Sequence, residues 1–153
     1  MAIELLTPRS VKTGLRAASK KALLMQLAAL AAPIVSVSET RLAEALIERE
    51  RVGSTGLGGG IAIPHARLPE VKAVCGLFAK LDPPLDFDAV DRIPVDLVFV
   101  LFAPEDAGAD HLKALAQVSR LFRDRALVDK LRATSNPDAI YALLSGFGQS
   151  VAA

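Results

Sequence analysis

The chain has 153 residues, a formal net charge of +1 and a composition of 52% hydrophobic and 23% charged residues, which is typical of one globular domain and excludes a disordered chain. The near-neutral charge gives no indication of a nucleic acid partner or of an anionic membrane surface. The single cysteine, Cys75, excludes an internal disulfide. Because no second cysteine lies near either of the two histidines, we expect no metal site, and we expect no cofactor. Because the sequence shows no secretory signal and no apolar run long enough for a bilayer, we expect a soluble, cytoplasmic protein without membrane insertion.

The N-terminal part of the chain is predicted to form a strand and two helices. Alternating apolar residues before Ser19 predict the strand, and Ser19 itself is a suitable N-cap for a helix that ends near Pro33. A second helix is predicted to start after Ser36 or Ser38 and to end at Gly53, since glycine commonly follows the last helical residue.

The charged residues 48–51 at the end of this second helix are expected to be mostly solvated. Arg49 lies just before a glycine-rich segment that leads to His65. Two interpretations of Arg49 therefore stay open: a surface ion, or a side chain directed back towards His65.

Two strands are predicted beyond His65. Residues 74–80 are rich in β-compatible side chains, and the Asp-Pro-Pro run at 82–84 is expected to end that strand. Residues 85–94 are predicted to be a loop or a short strand. The apolar run within residues 95–102 is typical of a central strand that is covered on both faces.

Three helices are predicted in the last third of the chain. Asp110 is expected to cap the first of them, which places His111 in its first turn, where free N–H groups and the helix dipole favour an anion. Asp124 opens the second helix, and Asn136 precedes a proline that starts the last one, which is expected to end at Gly146. The predicted buried face of the first helix comprises Leu112, Leu115, Ala116, Ser119 and Phe122.

This order of elements predicts an α/β (α+β) sandwich, in which a mixed β-sheet is flanked by helices on both faces. We expect one domain over residues 1–153, with a core of about 5–146 and a frayed C-terminal tail at 147–153.

The glycine-rich segment at residues 53–67 is the most informative part of the sequence. It contains five of the ten glycines, the last of which is Gly60, and these are followed within the segment by a short apolar strand, by Pro64 and by His65. Glycine lets a backbone approach a ligand closely, and consecutive N–H groups in such a loop can bind an anion. The segment predicts that a strand delivers His65 rigidly to the edge of an anion-binding hollow.

Two nucleotide-binding interpretations of this segment are poor matches. A phosphate-binding P-loop needs a lysine and a serine or threonine after its last glycine, whereas Gly60 is followed by Ile61 and Ala62. A dinucleotide fingerprint that starts at Gly56 places its third glycine position on Ile61, and a helix rather than a strand precedes the loop.

A third interpretation makes His65 a covalent phosphoryl carrier. Imidazole is an effective nucleophile near neutral pH, and a phosphorylated side chain carries about −1.5 to −2 charge that needs hydrogen-bond donors. Donors are available in Arg49, in His111 and in the glycine segment. The residues predicted to bind phosphate within that segment are Ser54, Thr55, Gly58, Gly59 and Gly60.

The sequence resembles enzyme IIA domains of the mannitol/fructose class of the bacterial phosphotransferase system. The resemblance rests on Glu-Arg-Glu at 48–50, on the run 53–65 that ends in Ile-Pro-His, on residues 87–97 and on the His-Leu-Lys-Ala-Leu segment at 111–115. It extends over residues 5–144, and the last two segments resemble the nitrogen-regulatory member of the family.

The resemblance implies a mixed sheet with flanking helices and a phosphotransferase component without a cofactor. It implies that His65 is phosphorylated by a histidine phosphocarrier protein, on Nε2 by family precedent, and that His111 and Arg49 support the phosphoryl group. It also implies regulatory protein targets such as kinases or potassium transporters.

Two other functions remain open from the sequence. The chain is alternatively a sugar-specific enzyme IIA that passes phosphate to a fructose or mannitol IIB domain. In a different class, it is a binding module in which His65 is structural and carries no phosphate.

Overall fold

The structure is a computed structural model that describes residues 5–152. Within this range the chain forms six strands and five α-helices. The strands are β1 (Val11–Leu15), β2 (Gly56–Gly58), β3 (Ile61–Ala62), β4 (His65–Leu68), β5 (Cys75–Leu85) and β6 (Val95–Pro104). The helices are α1 (Lys20–Val35), α2 (Glu39–Val52), α3 (Ala109–Leu121), α4 (Arg125–Ala133) and α5 (Pro137–Ala152).

The strands form one mixed sheet in the order β1-β5-β6-β3-β2, and β4 also pairs with β6. β6 is antiparallel to β5 and parallel to both β3 and β4, which follow one another along the same side of it. The side chains of β6 from Leu97 to Ala103 are at most 1% exposed. This burial confirms the prediction of a central strand that is covered on both faces.

Helices cover both faces of the sheet. α1 and α2 pack on one face against alternate strand residues such as Leu77, Val98 and Val100. α3, α4 and α5 pack on the other face, against residues that include Phe78 and Phe99. The alternation of strand side chains between two cores is what a sheet buried on both faces requires, and it confirms the predicted sandwich.

Four helices begin at the residues that the sequence indicates. The side chains of Ser19, Ser38, Asp124 and Asn136 each accept a hydrogen bond from the backbone N–H three residues later. Ser36, the alternative start of α2, instead ends α1 in the left-handed conformation, with φ of 59°.

Helix α1 ends at Val35, two residues beyond Pro33, as the predicted end near Pro33 requires. Two predicted boundaries are wrong. Residues 82–84 do not end β5, which continues to Leu85 with a register shift that accommodates its prolines. Asp110 does not cap α3: the N-cap is Gly108, and Asp110 lies in the first turn.

The end of α5 also differs from the prediction. The helix passes Gly146 and Gly148 and reaches Ala152, because each glycine within a helix costs only about 1 kcal/mol relative to alanine. That the tail frays stays a prediction, and Ala153 lies outside the described residues.

The buried face of α3 is shifted by one residue from the predicted face. Its buried residues are His111, Ala114, Val118 and Leu121, whereas Leu112 is 63% exposed. Across residues 5–152, no helix is both long enough and apolar enough to span a bilayer.

Candidate functional site

His65 is the first residue of β4 and pairs with Leu101 of the central strand β6. The carbonyl of Pro64, just before it, accepts a hydrogen bond of 3.0 Å from the N–H of Leu101. Because proline fixes φ and its carbonyl is bonded to the sheet, the backbone that carries His65 is held rigidly. The side chain is partly buried and faces the space between α2 and α3.

The two ring nitrogens of His65 have different partners. Nδ1 lies 2.8 Å from the carbonyl oxygen of Ile63, and because a carbonyl oxygen only accepts hydrogen bonds, Nδ1 carries the proton. The lone pair of a neutral ring is then on Nε2. Nε2 accepts a hydrogen bond of 3.3 Å from Nε of Arg49.

Arg49 lies in the last turn of α2 and is held from two sides. Its Nη1 donates a hydrogen bond of 2.9 Å to the carbonyl oxygen of Gly53, one turn further along the chain. Its Nε contacts His65. Of the two interpretations that the sequence left open for Arg49, the structure shows the one directed towards His65.

His111 is the third residue of α3 and is 4% exposed. Its ring packs edge-on against that of His65, with ring centroids 5.5 Å apart. Its Nδ1 accepts a hydrogen bond of 2.8 Å from Nε of Arg67. Its Nε2 is buried and has no hydrogen-bond partner among the residues that the structure describes.

Both histidines resist protonation. Burial, together with the positive charges of Arg49 and Arg67, lowers the pKa of His65, against the opposing effects of its hydrogen bond to Ile63 and of Glu50. Burial is also the main cause that lowers the pKa of His111 to about 4, with contributions from His65 and Arg67. Both rings are therefore neutral at pH 7, and His65 has an unprotonated nucleophilic nitrogen.

Arg67 is a residue of this site to which the sequence analysis gave no role. It lies on β4 two positions after His65, and side chains two apart in a strand share a face. That spacing is a signal in the sequence. The contact with His111 was not predictable, since it joins residues 44 positions apart.

An open cavity of about 520 Å³ lies beside these four side chains. Its lining includes two arginines and one glutamate, and among its apolar residues Val52 is 81% and Leu112 is 63% exposed. Its lining residues are Ala45, Glu48, Arg49, Val52, His65, Ala66, Arg67, His111, Leu112 and Leu115. Its size and charge suit a small anion such as a phosphoryl group, and its open mouth leaves room for a partner's side chain.

The structure does not place residues 54–60 of the glycine-rich segment at this cavity. Gly58 lies in β2, and the N–H of Gly59 donates a hydrogen bond of 2.8 Å to Asp91. The carbonyl of Gly60 accepts hydrogen bonds from the backbone of Asp96 and of the residue after it. The segment forms an antiparallel hairpin of β2 and β3, which the sequence analysis did not predict.

Ser54 and Thr55 are also engaged elsewhere. The hydroxyl of Ser54 donates to the carbonyl oxygen of Phe87 at 3.3 Å, and both the N–H and the hydroxyl of Thr55 donate to Glu50. A phosphate-binding role for these five residues of the segment stays a prediction from the sequence.

Glu50 is buried, although residues 48–51 were expected to be mostly solvated. It is 8% exposed, and its carboxylate lies 2.8 Å from Nζ of Lys20 and accepts the hydrogen bonds from Thr55. Nζ of Lys20 also lies 4.5 Å from the ring centroid of Phe87. A buried charge requires such partners, and together they fasten the end of α2, which carries Arg49, to the start of the glycine segment.

Comparison with known proteins gives consistent matches along the chain. The family model described as "Phosphoenolpyruvate-dependent sugar phosphotransferase system, EIIA 2" matches residues 4–146. A nitrogen regulatory protein of Bradyrhizobium diazoefficiens is 49% identical over 142 residues, which are 93% of this chain and 93% of that protein. A fructose-specific EIIA component of Haloferax volcanii is 35% identical over 102 residues, which are 67% of this chain and 66% of that protein.

The fold is similar to that of a solved nitrogen regulatory protein. The crystal structure of the nitrogen regulatory protein IIA-Ntr from Neisseria meningitidis superposes with a TM-score of 0.87 at 35% identity, over 93% of this chain and 97% of that one. The match confirms the predicted mixed sheet with helices on both faces.

Proposed function

Since the chain belongs to the EIIA 2 family of the phosphoenolpyruvate-dependent sugar phosphotransferase system, we propose that it is a phosphocarrier with a regulatory output. His65 accepts a phosphoryl group from a histidine phosphocarrier protein, and the phosphorylation state controls binding of regulatory protein targets. The observation that carries the proposal is the Nε2 atom of His65: it bears the lone pair, contacts Arg49 and borders the cavity.

The transfer step exchanges one nitrogen–phosphorus bond for another. The lone pair of Nε2 of His65 attacks the phosphorus of the donor's phosphohistidine, the new bond forms, and the electron pair of the old bond returns to the donor's ring nitrogen. The donor ring, protonated on its other nitrogen, leaves as neutral imidazole. The ring of His65 keeps its Nδ1 proton on the carbonyl of Ile63, so no proton is released.

The surrounding groups stabilise the charge that arrives. Phosphoryl transfer depends mainly on positioning and on charge stabilisation. The guanidinium of Arg49 already contacts Nε2, where the phosphoryl group attaches, and the N–H of His111 is a buried donor without a partner among the described residues. His111 also lies in the first turn of α3, the positive end of the helix dipole. These contacts support a role for Arg49 and His111 in holding the phosphoryl group.

The regulatory output is supported by the relatives. Proteins named nitrogen regulatory protein match nearly the whole chain, at 49% identity in the Bradyrhizobium protein. The exposed Val52 and Leu112 at the mouth of the cavity supply apolar surface for a partner that contacts His65. A doubly charged phosphoryl group placed between them would change the affinity of this surface.

A second candidate is a sugar-specific enzyme IIA that passes its phosphoryl group to a IIB domain. The similarity to the fructose-specific EIIA component of Haloferax volcanii favours it. The chemistry at His65 is the same, so transfer from the phosphorylated protein to purified fructose and mannitol IIB domains distinguishes the two. Rapid transfer to one of them would favour this candidate over the regulatory one.

Intact mass tests the phosphocarrier proposal. Wild type, His65→Ala and His111→Ala are incubated with enzyme I, a histidine phosphocarrier protein and phosphoenolpyruvate. We expect one acid-labile phosphoryl group on wild type, none on His65→Ala and slower uptake by His111→Ala. Circular dichroism melting checks that the variants are folded. Stoichiometric uptake by a folded His65→Ala would overturn the assignment, and no uptake by wild type would favour a binding module.

A further inference from the structure

Arg67 makes a contact that defines the chemical state of His111. Its Nε lies 2.8 Å from Nδ1 of His111, and the guanidinium is a donor that stays protonated at any physiological pH. Nδ1 of His111 must therefore be the acceptor in this hydrogen bond. A neutral imidazole has one N–H and one lone pair, so the proton of His111 is on Nε2.

The Nε2–H of His111 is the group left free by this arrangement. His111 is 4% exposed, and among residues 5–152 no atom accepts a hydrogen bond from its Nε2. A buried donor without a partner destabilises the protein, and an acceptor that binds there would remove this cost. The ring packs against His65, beside which a phosphoryl group would supply acceptor oxygens.

The opposite tautomer would not serve this role. With the proton on Nδ1, Nε2 would present a lone pair to the phosphoryl oxygens and repel them. Arg67 excludes that tautomer, because two donors would then face each other across 2.8 Å. The charge of Arg67 also disfavours a second proton on His111. The charged and titratable groups that face His111 across the cavity are Glu48, Arg49, His65 and Arg67.

We propose that Arg67 is a positioning residue of the phosphoryl-transfer site, which fixes His111 as its Nε2–H tautomer so that this ring donates a hydrogen bond to the phosphoryl group on His65. The proposal rests on the proposed function of His65. Because Arg67 acts through His111, the loss of Arg67 should slow phosphoryl transfer only by allowing the His111 ring to change its tautomer or its protonation.

The first test needs no phosphorylation. The ¹⁵N shifts of the histidine rings are recorded from pH 5 to 8 for wild type, Arg67→Ala, Arg67→Lys and the control Arg123→Ala. Arg123 is an exposed arginine two residues beyond the C-terminal end of α3, whereas His111 lies in the first turn of that helix. We expect His111 to carry its proton only on Nε2 in wild type and in the control.

In Arg67→Ala we expect His111 to populate the Nδ1–H form or to become protonated at a higher pH than in wild type. In Arg67→Lys, which keeps a charged donor, we expect the ring ¹⁵N shifts of His111 to return part of the way to the wild-type values. A His111 ring whose shifts are the same in Arg67→Ala and in wild type, with both proteins folded, would overturn the proposal.

The second test is a double-mutant cycle on phosphorylation kinetics. Loss of a well-placed hydrogen bond to a charged group reduces a rate by about tenfold or more. We expect Arg67→Ala to reduce kcat by about tenfold with a change in KM for the phosphocarrier of less than about twofold. In the His111→Ala background the same substitution should have an effect below about twofold.

Equal effects of Arg67→Ala in both backgrounds, or an effect on KM alone, would show that Arg67 contacts the phosphoryl group or the partner directly and would contradict the proposal.

These results are distinct from a failure of the proposed function. If wild type takes up no phosphoryl group, the phosphocarrier assignment of His65 is wrong and the role of Arg67 in transfer falls with it. If wild type is phosphorylated but Arg67→Ala leaves both the kinetics and the ring of His111 unchanged, only the role of Arg67 is wrong.

Discussion

At His65 and at His111, the hydrogen-bond partner of Nδ1 decides whether Nε2 has a lone pair or a proton. The carbonyl of Ile63 holds Nδ1 of His65 and so leaves a nucleophilic Nε2, whereas Arg67 holds Nδ1 of His111 and so leaves a donor Nε2–H. Two identical side chains thus acquire opposite properties from their partners. The local motif predicts His65 as the phosphoryl acceptor, and its partner Ile63 lies only two residues away. The contact of Arg67 with His111 joins β4 to α3, and no local pattern contains it.

The lowered pKa values predict a loss of stability on acidification. A histidine whose pKa is lower in the folded state than the unfolded value of about 6.5 binds its proton preferentially in the unfolded state, so the free energy of unfolding decreases as the pH falls below 6.5. For His111, with a folded pKa of about 4, the expected loss between pH 7 and pH 5 is about 1–2 kcal/mol.

Urea denaturation of wild type and His111→Gln at both pH values measures this contribution. Wild type should lose about 1–2 kcal/mol more than His111→Gln, since glutamine does not titrate. Equal losses in the two proteins would mean that burial does not hold His111 in its neutral form.

At the scale of elements, the ends of helices and strands position the site. The last turn of α2 presents Arg49, the first turn of α3 presents His111, and the start of β4 presents His65. The N-caps of α1, α2, α4 and α5 were predictable because each is a local hydrogen bond, whereas α3 begins after Gly108, which has no capping side chain. The buried face of α3 was not predictable from its own sequence, because it depends on how the helix packs on the rest of the protein. His111 and Ala114 are buried and Leu112 lies at the surface, although leucine is the most apolar of the three residues.

The hairpin of β2 and β3 was missed for a related reason. The sequence predicts the short apolar strand that contains β3, but β2 has two glycines among its three residues, and glycine has a low strand propensity. The conformation of the hairpin also depends on distant partners. Arg132 of α4 donates a hydrogen bond of 2.6 Å to the carbonyl oxygen of Gly59 and forms a salt bridge of 2.9 Å with Asp96. These contacts fasten the hairpin to α4 on the far face of the sheet.

Two neighbouring glycines of this hairpin provide a matched pair of substitutions. Gly59 and Gly60 both have positive φ, of 66° and 83°, but only at Gly60 is the space filled. A Cβ there would lie 2.6 Å from Nη2 of Arg132 and 3.2 Å from the carbonyl oxygen of Pro94, whereas a Cβ at Gly59 meets no atom within 4 Å. Arg132 can move away only by giving up its hydrogen bond to Gly59.

We expect Gly59→Ala to reduce the free energy of unfolding by about 1–2 kcal/mol, the cost of alanine in a left-handed conformation. Gly60→Ala should reduce it by about 2–4 kcal/mol, because overpacking adds to the same backbone cost. Chemical denaturation of wild type and of the two variants measures both losses. A similar loss in both would contradict the filled space at Gly60.

At the scale of the whole molecule, one sheet with helices on both faces brings together residues from three distant parts of the chain. The site combines Arg49 from α2, His65 from β4 and His111 from α3, all beside the central strand β6. The sheet was predictable, because its buried strand and amphipathic helices have clear patterns. The position of the site relative to the glycine segment was not, because it follows from how β3 and β4 are arranged along β6.

The central claim is that Nε2 of His65 carries the phosphoryl group, and phosphorus–nitrogen coupling tests it most directly. The protein, labelled with ¹⁵N in its histidine rings, is phosphorylated and its spectra are assigned with His65→Ala and His111→Ala. We expect coupling of ³¹P to Nε2 of His65, while Nδ1 keeps the proton that it donates to the carbonyl oxygen of Ile63. Coupling to Nδ1 of His65, or to either nitrogen of His111, would contradict it.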